Sequence, residues 1–173
     1  FLNFKYIIYC GSYKYLPNKT AIDYLVNVLM PKLIKKFPKL KLVLTGGGYE
    51  IKKNFIIDFG IVSKNKLLNL IYNSQLMVVP IDKGTGTRIK IIEAMLIGAK
   101  ILTTKKGIEG IAYNKKKFPI VLKKSLFFKN ISKYLKTNIK NKKSIQFNKS
   151  YTMEEIVKNF LKEKYVKKIF KAN

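Results

Sequence analysis

The sequence predicts an α/β fold built on a doubly wound parallel sheet of about six strands. The chain has 173 residues, which suffice for one domain with a sizeable core. Short, wholly apolar runs of strand length recur along it, and segments with a helical spacing of apolar residues separate these runs. Strands of this kind, alternating with helices, are typical of a parallel sheet that is covered on both faces.

The first half of the chain predicts three strands, at Tyr6–Cys10 and at residues 40–44 and 55–59. A helix is predicted to begin at Pro17 and Asn18, after the first strand. The apolar face of this helix comprises Ala21, Ile22, Leu25, Val26 and Leu29. Because proline cannot donate a backbone hydrogen bond, we expect Pro31 to kink this helix or to start a new turn.

The second half predicts three more strands, at residues 76–80, 100–104 and 118–122. A loop at residues 81–87 and a helix over residues 88–97 follow the fourth strand, with Gly98 placed to cap the helix C-terminus. A final helix is predicted from the capping box formed by Thr152 and Glu155. In sheets of this type, ligands bind beyond the carboxyl ends of the strands.

The formal net charge of +27 would by itself indicate nucleic acid or anionic lipid as a partner. However, Arg88 is the only arginine, and the chain is rich in Lys, Ile, Asn, Tyr and Phe while lacking Trp and His. Because the enriched residues have AT-rich codons, we attribute the bias to an AT-rich genome. The charge should still attract phosphate-bearing ligands and membrane headgroups, less strongly as salt rises.

Cys10 is the single cysteine and lies in an apolar run, so we expect a buried thiol in a cytosolic protein. No run approaches the ~18 apolar residues of a membrane-spanning helix, and residues 1–10 lack the pattern of a signal peptide. The expected location is cytoplasmic, with peripheral contact at an anionic inner membrane face. Because the first methionine is Met30, we also expect a fragment or an excised domain.

The segment at residues 83–98 predicts a diphosphate-binding site where a strand ends and a helix begins. Backbone amides and the positive end of the helix dipole attract anions at such a junction. Glycines let the backbone approach a ligand closely, and hydroxyl and cationic side chains lie beside them. The residues concerned are Gly84, Thr85, Gly86, Thr87, Arg88 and Lys90.

Glu93 follows within an apolar run, where an ionised carboxylate is unfavourable unless it is paired or bonded to a ligand. At ~1.5 Å rise per residue it lies roughly 9 Å along the helix from Thr87. A ligand held by its phosphates at the helix start could therefore place a pentose diol near this carboxylate. A purely structural interpretation is also open, in which Thr87 caps the helix and Glu93 pairs with Lys90, since glycine loops at strand–helix junctions are common.

Residues 84–95, followed by Gly98 and a strand at residues 101–104, resemble the donor-site signature of group 1 glycosyltransferases. Further landmarks resemble this family in the same order. They are Gly11 and Ser12 with Pro17 and Asn18, the glycines at 46–48, residues 59–62 and residues 107–111. The resemblance runs from about residue 6 to residue 112 and implies the GT-B fold. Residues 1–173 would form its Rossmann-like, C-terminal donor-binding half, and the N-terminal acceptor-binding domain would be absent from this chain.

The resemblance implies that Glu93 binds the ribose hydroxyls of the donor. Amides and hydroxyls at Gly86 and Thr87 would hold the diphosphate, with Arg88 or Lys90 assisting. The resemblance assigns no catalytic residue in this half.

Four further contacts are implied. Gly11 would line the phosphate side, and Ile61 and Val62 would meet the base through backbone atoms. Glu109, in the loop after the fifth strand, is a candidate sugar contact, although a polar residue between glycines is also often simply solvated.

The sequence departs from the family pattern at two places. Many members carry a glutamate where Thr85 stands, which weakens a catalytic role there more than it weakens donor binding. Many also carry an arginine after the first glycine and a lysine a few residues later. Here Ser12 and the Pro17 and Asn18 region replace them, which leaves Lys14 as a candidate substitute.

The activity implied is a retaining transfer of a hexose-type sugar from a nucleotide-diphosphate sugar to a glycan or lipid-linked acceptor, as in polysaccharide biosynthesis. We expect no metal cofactor, because the chain has no His and one Cys. The chain alone should bind the donor without transferring it. Two alternatives remain: a GT-B nucleotide-sugar epimerase, which would usually need His, and a basic nucleic-acid or membrane-surface domain. The aromatic residues mostly occupy apolar stripes, so no specific nucleic-acid partner is expected.

Overall fold

The computed structural model describes residues 2–50, 52–85, 88–111 and 119–137. The strands in these ranges are β1 (Tyr6–Cys10), β2 (Lys41–Thr45), β3 (Ile56–Asp58), β4 (Leu76–Val79), β5 (Ile101–Thr103) and β6 (Ile120–Val121). The α-helices are α1 (Leu16–Tyr24), α2 (Met30–Lys36), α3 (Lys64–Asn73), α4 (Ile89–Leu96) and α5 (Phe127–Thr137). A π-helical segment, Leu25–Leu29, joins α1 to α2, and a 3₁₀ turn, Lys124–Leu126, precedes α5.

The six strands form one parallel sheet in the order β3-β2-β1-β4-β5-β6. Ile8 of β1 pairs with Val43 of β2 on one side and with Met77 of β4 on the other. The chain thus winds outward from β1 to β3 and then returns to begin β4 beside β1. The neighbouring carboxyl ends of β1 and β4 form the switch point at which doubly wound sheets bind ligands. The predicted fold class is confirmed, and each predicted strand overlaps an observed one.

The core fixes this edge of the sheet in place. β1 and β4 are buried along their whole length, as expected for central strands covered on both faces. Over the sheet, α2 packs against α5, and α3 packs against α4. The largest fully buried side chains are Ile7, Ile8, Tyr9, Leu42 and Leu44 from the sheet and Ile22, Leu25, Leu29, Met30, Leu33, Leu68 and Phe127 from the helices. Full burial of such a side chain contributes about 1.5–3 kcal/mol.

The helix after β1 adapts to Pro31 with a local change of hydrogen-bond pattern. Pro31 has no amide proton with which to bond the carbonyl four residues earlier. The π-helical segment absorbs this loss, because the Met30 amide donates to the carbonyl of Leu25, five residues before it. α2 then begins with Pro31 in its first turn, so the expected new turn is observed.

The end of α4 also follows the prediction. Gly98 adopts a φ of +70° and donates its amide to the Met95 carbonyl at 3.0 Å, which closes the helix. The predicted final helix beginning near Thr152 lies outside the described residues. None of the helices in the described ranges combines the length and the apolar character needed to cross a bilayer.

Candidate functional site

Gly11 follows β1 and lies where the backbone of several segments converges. Its amide donates to the Thr45 carbonyl at 2.8 Å, and its carbonyl accepts from the Tyr49 hydroxyl at 2.6 Å. A Cβ at this position would lie 2.7 Å from the Asn18 side chain. Asn18 is itself fixed, since its Oδ1 accepts from the Tyr9 hydroxyl at 2.8 Å. Only a residue without a side chain fits here unless Asn18 moves.

The loops after β2 and β3 meet beside Gly11. The Gly46 amide donates to the Gly60 carbonyl at 2.7 Å, and a Cβ at Gly47 would lie 3.4 Å from the Ile61 side chain. Ile61 is 88% exposed, whereas Val62 is half-buried. The loop therefore presents an apolar side chain to solvent at the carboxyl edge of the sheet.

The loop after β4 lies against the start of α1. Gly84 has a φ of +99°, and a Cβ there would lie 2.7 Å from the Pro17 ring. Arg88, the residue before α4, donates from Nη1 to the Thr85 carbonyl at 2.7 Å. Its guanidinium also lies near Tyr9: burial raises the pKa of the Tyr9 phenol, and the charge of Arg88 works against that rise. Two predicted phosphate contacts, Gly86 and Thr87, lie outside the described residues.

Glu93 lies on the buried face of α4 and forms an ion pair with Lys64, the first residue of α3. The carboxylate side chain is 7% exposed and the lysine side chain 41% exposed. Burial raises the pKa of the Cys10 thiol to about 11, with Lys90 lowering it and Glu93 raising it, so both residues act on the end of β1. The interpretation that Glu93 pairs with Lys90 is therefore replaced by a pair with Lys64.

Two threonines at the end of β5 hold the loop after β4. Thr103 Oγ1 donates to the Val79 carbonyl at 3.0 Å, and Thr104 Oγ1 donates to the Ile81 carbonyl. Thr104 Oγ1 also accepts the Gly107 amide at 3.0 Å. Both side chains are buried, so they act as structural ties beneath the site.

The structure brings Gly11, Gly84, Arg88, Lys90 and Glu93 together around the carboxyl ends of β1 and β4. Ile61, which with Val62 is predicted to meet the base, lies by the glycine turn after β2. Glu109, by contrast, is 56% exposed and pairs with Lys106 at 2.6 Å. The described residues hold no group of three or more His, Cys, Asp or Glu side chains placed to bind a metal ion.

Sequence reasoning missed Lys64. The signal that could have found it is a cation at a helix N-terminus. Lys64 begins α3 directly after the capping residue Ser63, where the helix dipole disfavours positive charge. A lysine in that place is stabilised by a nearby carboxylate.

Known proteins resemble this chain at the level of sequence and of fold. An uncharacterized 44.6 kDa protein in the cps region of Klebsiella pneumoniae is 28% identical over 180 residues, which cover 96% of this chain and 45% of that protein. The structure of sucrose-phosphate synthase from Thermosynechococcus elongatus matches with a TM-score of 0.61 at 14% identity. That match covers 99% of this chain and 47% of the synthase chain. A chain of the GtfA/B complex matches with a TM-score of 0.52 at 13% identity, over 90% of this chain and 31% of that one.

The chain thus spans less than half the length of these relatives. The structural matches show a shared fold, the Rossmann-like parallel sheet that forms part of a GT-B enzyme. The sequence matches the family described as glycosyl transferases group 1 over residues 4–136, which is most of the chain and includes every described residue of the candidate site. The chain belongs to the group 1 glycosyltransferases.

Proposed function

We propose that this chain is the donor-binding half of a two-domain glycosyltransferase. It binds a nucleotide-diphosphate sugar at the carboxyl ends of β1 and β4. A second domain, lying N-terminal to it in the whole protein, binds the acceptor. The sugar transferred is of hexose type, with retention of its anomeric configuration.

One observation carries this proposal: Glu93 is a buried carboxylate whose charge acts on Cys10, the last residue of β1. Removing such a group from water is unfavourable, and its ion pair with Lys64 engages Oε1 alone among the contacts of the described residues. Two neighbouring ribose hydroxyls can each donate a hydrogen bond to one carboxylate. Hydrogen bonds to a charged acceptor are also stronger than bonds between neutral groups. Glu93 is therefore the proposed ribose ligand.

The phosphate end of the donor is proposed to lie at the start of α4. Gly84 presents bare backbone, and the cations of Arg88 and Lys90 lie at the same end of the helix. Thr85, Gly86 and Thr87 complete this proposed contact. As the sugar leaves, negative charge grows on the nucleoside diphosphate, and fixed cations and amides there stabilise the transition state. Gly11 closes the phosphate side.

The base is proposed to lie over the loop after β3. Ile61 is exposed beside the glycine turn, where a flat ring could cover it, and Val62 follows. Glu109 is proposed to reach the sugar only if it leaves Lys106, with which it pairs.

The acceptor is proposed to be a growing glycan or a lipid-linked sugar. This fits the relative from a cps region, a region for capsule polysaccharide. Net positive charge would hold the enzyme near an anionic membrane surface, where such acceptors are attached. Because the reaction cleft lies between two domains, the isolated chain binds the donor without transferring its sugar.

Calorimetric titration of the chain with UDP, GDP and ADP tests the proposal. We expect binding by at least one of them, and Glu93→Gln should weaken it about ten- to a hundredfold, the effect of losing a charged hydrogen-bond acceptor. Glu50→Gln is the matched control, because it removes the same charge from an exposed side chain. Equal affinity of the Glu93→Gln and wild-type chains would refute the assignment of Glu93.

A further inference from the structure

The ion pair between Lys64 and Glu93 joins two helices that precede and follow β4. Lys64 is the first residue of α3, and Glu93 lies in the middle of α4, 29 residues later. Lys64 Nζ engages Oε1 of the carboxylate. Within the described residues this leaves Oε2 for a ligand.

Lys64 occupies an electrostatically unfavourable position without its partner. Ser63 caps α3 by accepting the Lys66 amide on its side chain, so the positive end of the helix dipole lies next to Lys64. Glu93, in turn, is nearly inaccessible to water. A buried carboxylate without a counterion takes up a proton or moves toward solvent. Each residue therefore supplies the charge that the other needs.

The position of Lys64 in the chain links this ion pair to the proposed base contact. It directly follows the loop of Ile61, Val62 and Ser63, which includes the proposed base contact. One side chain thus connects the segment proposed to hold the base with the carboxylate proposed to hold the ribose. The partly exposed lysine can remain as counterion while ribose hydroxyls occupy the other oxygen.

Resting on the proposed donor site, we propose that Lys64 is a positioning residue for the ribose contact. It balances the charge of the Glu93 carboxylate and holds it aimed toward the carboxyl edge of the sheet. Without Lys64, the buried carboxylate loses its counterion and leaves this position. The variant therefore loses the binding free energy that comes from the ribose hydroxyls, while the contacts to the rest of the nucleotide remain.

The test compares UDP, GDP or ADP, whichever binds the wild-type chain most tightly, with its 2′,3′-dideoxy analogue. We expect Lys64→Met to weaken binding of the ribonucleotide about tenfold, as for a lost charged hydrogen bond. Affinity for the dideoxy analogue should stay unchanged, so the ribose preference shrinks. Lys64→Arg should restore most of that preference. Lys66→Met is the matched control. It removes the same charge two residues further along α3, from a side chain that lies over the Phe59 ring, and should leave the ribose preference intact.

A second variant protects the test against misfolding. In the Glu93→Gln chain no buried charge needs a partner, so adding Lys64→Met should change neither affinity further. An unchanged ribose preference in Lys64→Met, or an additional loss in the double variant, would overturn the inference alone. Failure of the wild-type chain to bind any of the three nucleotides would instead overturn the proposed function, and the inference with it.

Discussion

Gly46→Ala should destabilise the fold strongly, because the loop after β2 touches the loop after β1 through bare backbone. Gly46 adopts a φ of +115°, and a Cβ there would lie 2.5 Å from the Gly11 carbonyl carbon and 2.7 Å from the Ser12 amide nitrogen. Ordinary contacts between carbon atoms measure about 3.5–4.0 Å, so one of the two backbone segments must shift by about 1 Å.

The magnitude follows from two contributions. A non-glycine residue held in a sparsely populated backbone region costs about 1–3 kcal/mol. Forcing extra volume into a packed position costs about 1–3 kcal/mol more. We therefore expect Gly46→Ala to lower the free energy of unfolding by about 2–6 kcal/mol. In a domain of ordinary stability this is a large share of the total.

Gly60→Ala is the control that carries the backbone strain without the steric clash, so the difference between the two variants gives the steric contribution. Gly60 also has a positive φ, +60°, but no atom of the described residues lies within 4 Å of its hypothetical Cβ. Backbone strain alone should cost about 1–2 kcal/mol there. Urea unfolding followed by far-ultraviolet circular dichroism measures both variants, with equal slopes required for the comparison. If both lost the same stability, within about 0.5 kcal/mol, the backbone contact would not be as close as described.

Thr104→Val should cost about 1–3 kcal/mol in the same assay, because the buried Ile81 carbonyl and Gly107 amide both lose their partner. The control is Thr20→Val, which removes a bond of 3.0 Å from an exposed residue to the Pro17 carbonyl and should cost less than about 0.5 kcal/mol. Equal losses would refute the structural role of Thr104. The Cys10 thiol has its pKa raised to about 11 in the fold, chiefly by burial, against about 8.5 in an unfolded chain. The buried, protonated thiol therefore costs the fold no stability below pH 8.5. The free energy of unfolding falls as pH rises from 8.5 toward 11, because the unfolded state releases its thiol proton first. Cys10→Val should flatten the fall in unfolding free energy between pH 8.5 and about 10; an unchanged slope would contradict this.

The strands were predictable because a strand that is buried on both faces needs apolar residues at consecutive positions. The prediction was least accurate at one edge of the sheet. Residues 118–122 were expected in the sixth strand, but β6 comprises only Ile120–Val121. The Leu122 amide still donates to the Thr103 carbonyl at 2.9 Å, so pairing continues while the strand geometry ends. An edge strand has one partner, and the apolar pattern cannot show where its regular geometry stops.

The site was predictable only where its residues are neighbours in sequence. Helical spacing offers Lys90 as a partner for Glu93, three residues before it. The observed partner, Lys64, comes from another helix, and its contact depends on how α3 packs against α4. The same reason hides Thr104, whose bond to the Ile81 carbonyl joins the ends of two adjacent strands. Local periodicity carries no information about such contacts.

The hydrogen bonds around Gly11 give a physical reason for the departure from the family pattern in the loop after β1. Asn18 uses its side chain on Tyr9 and on the Ser12 carbonyl, so it braces the loop. A loop braced in this way positions backbone, and Lys14 within it is exposed. On the proposed function, two cations can replace those that many members place here. One is Lys14 of the loop itself, and the other is Arg88, which is anchored to the Thr85 carbonyl at the start of α4.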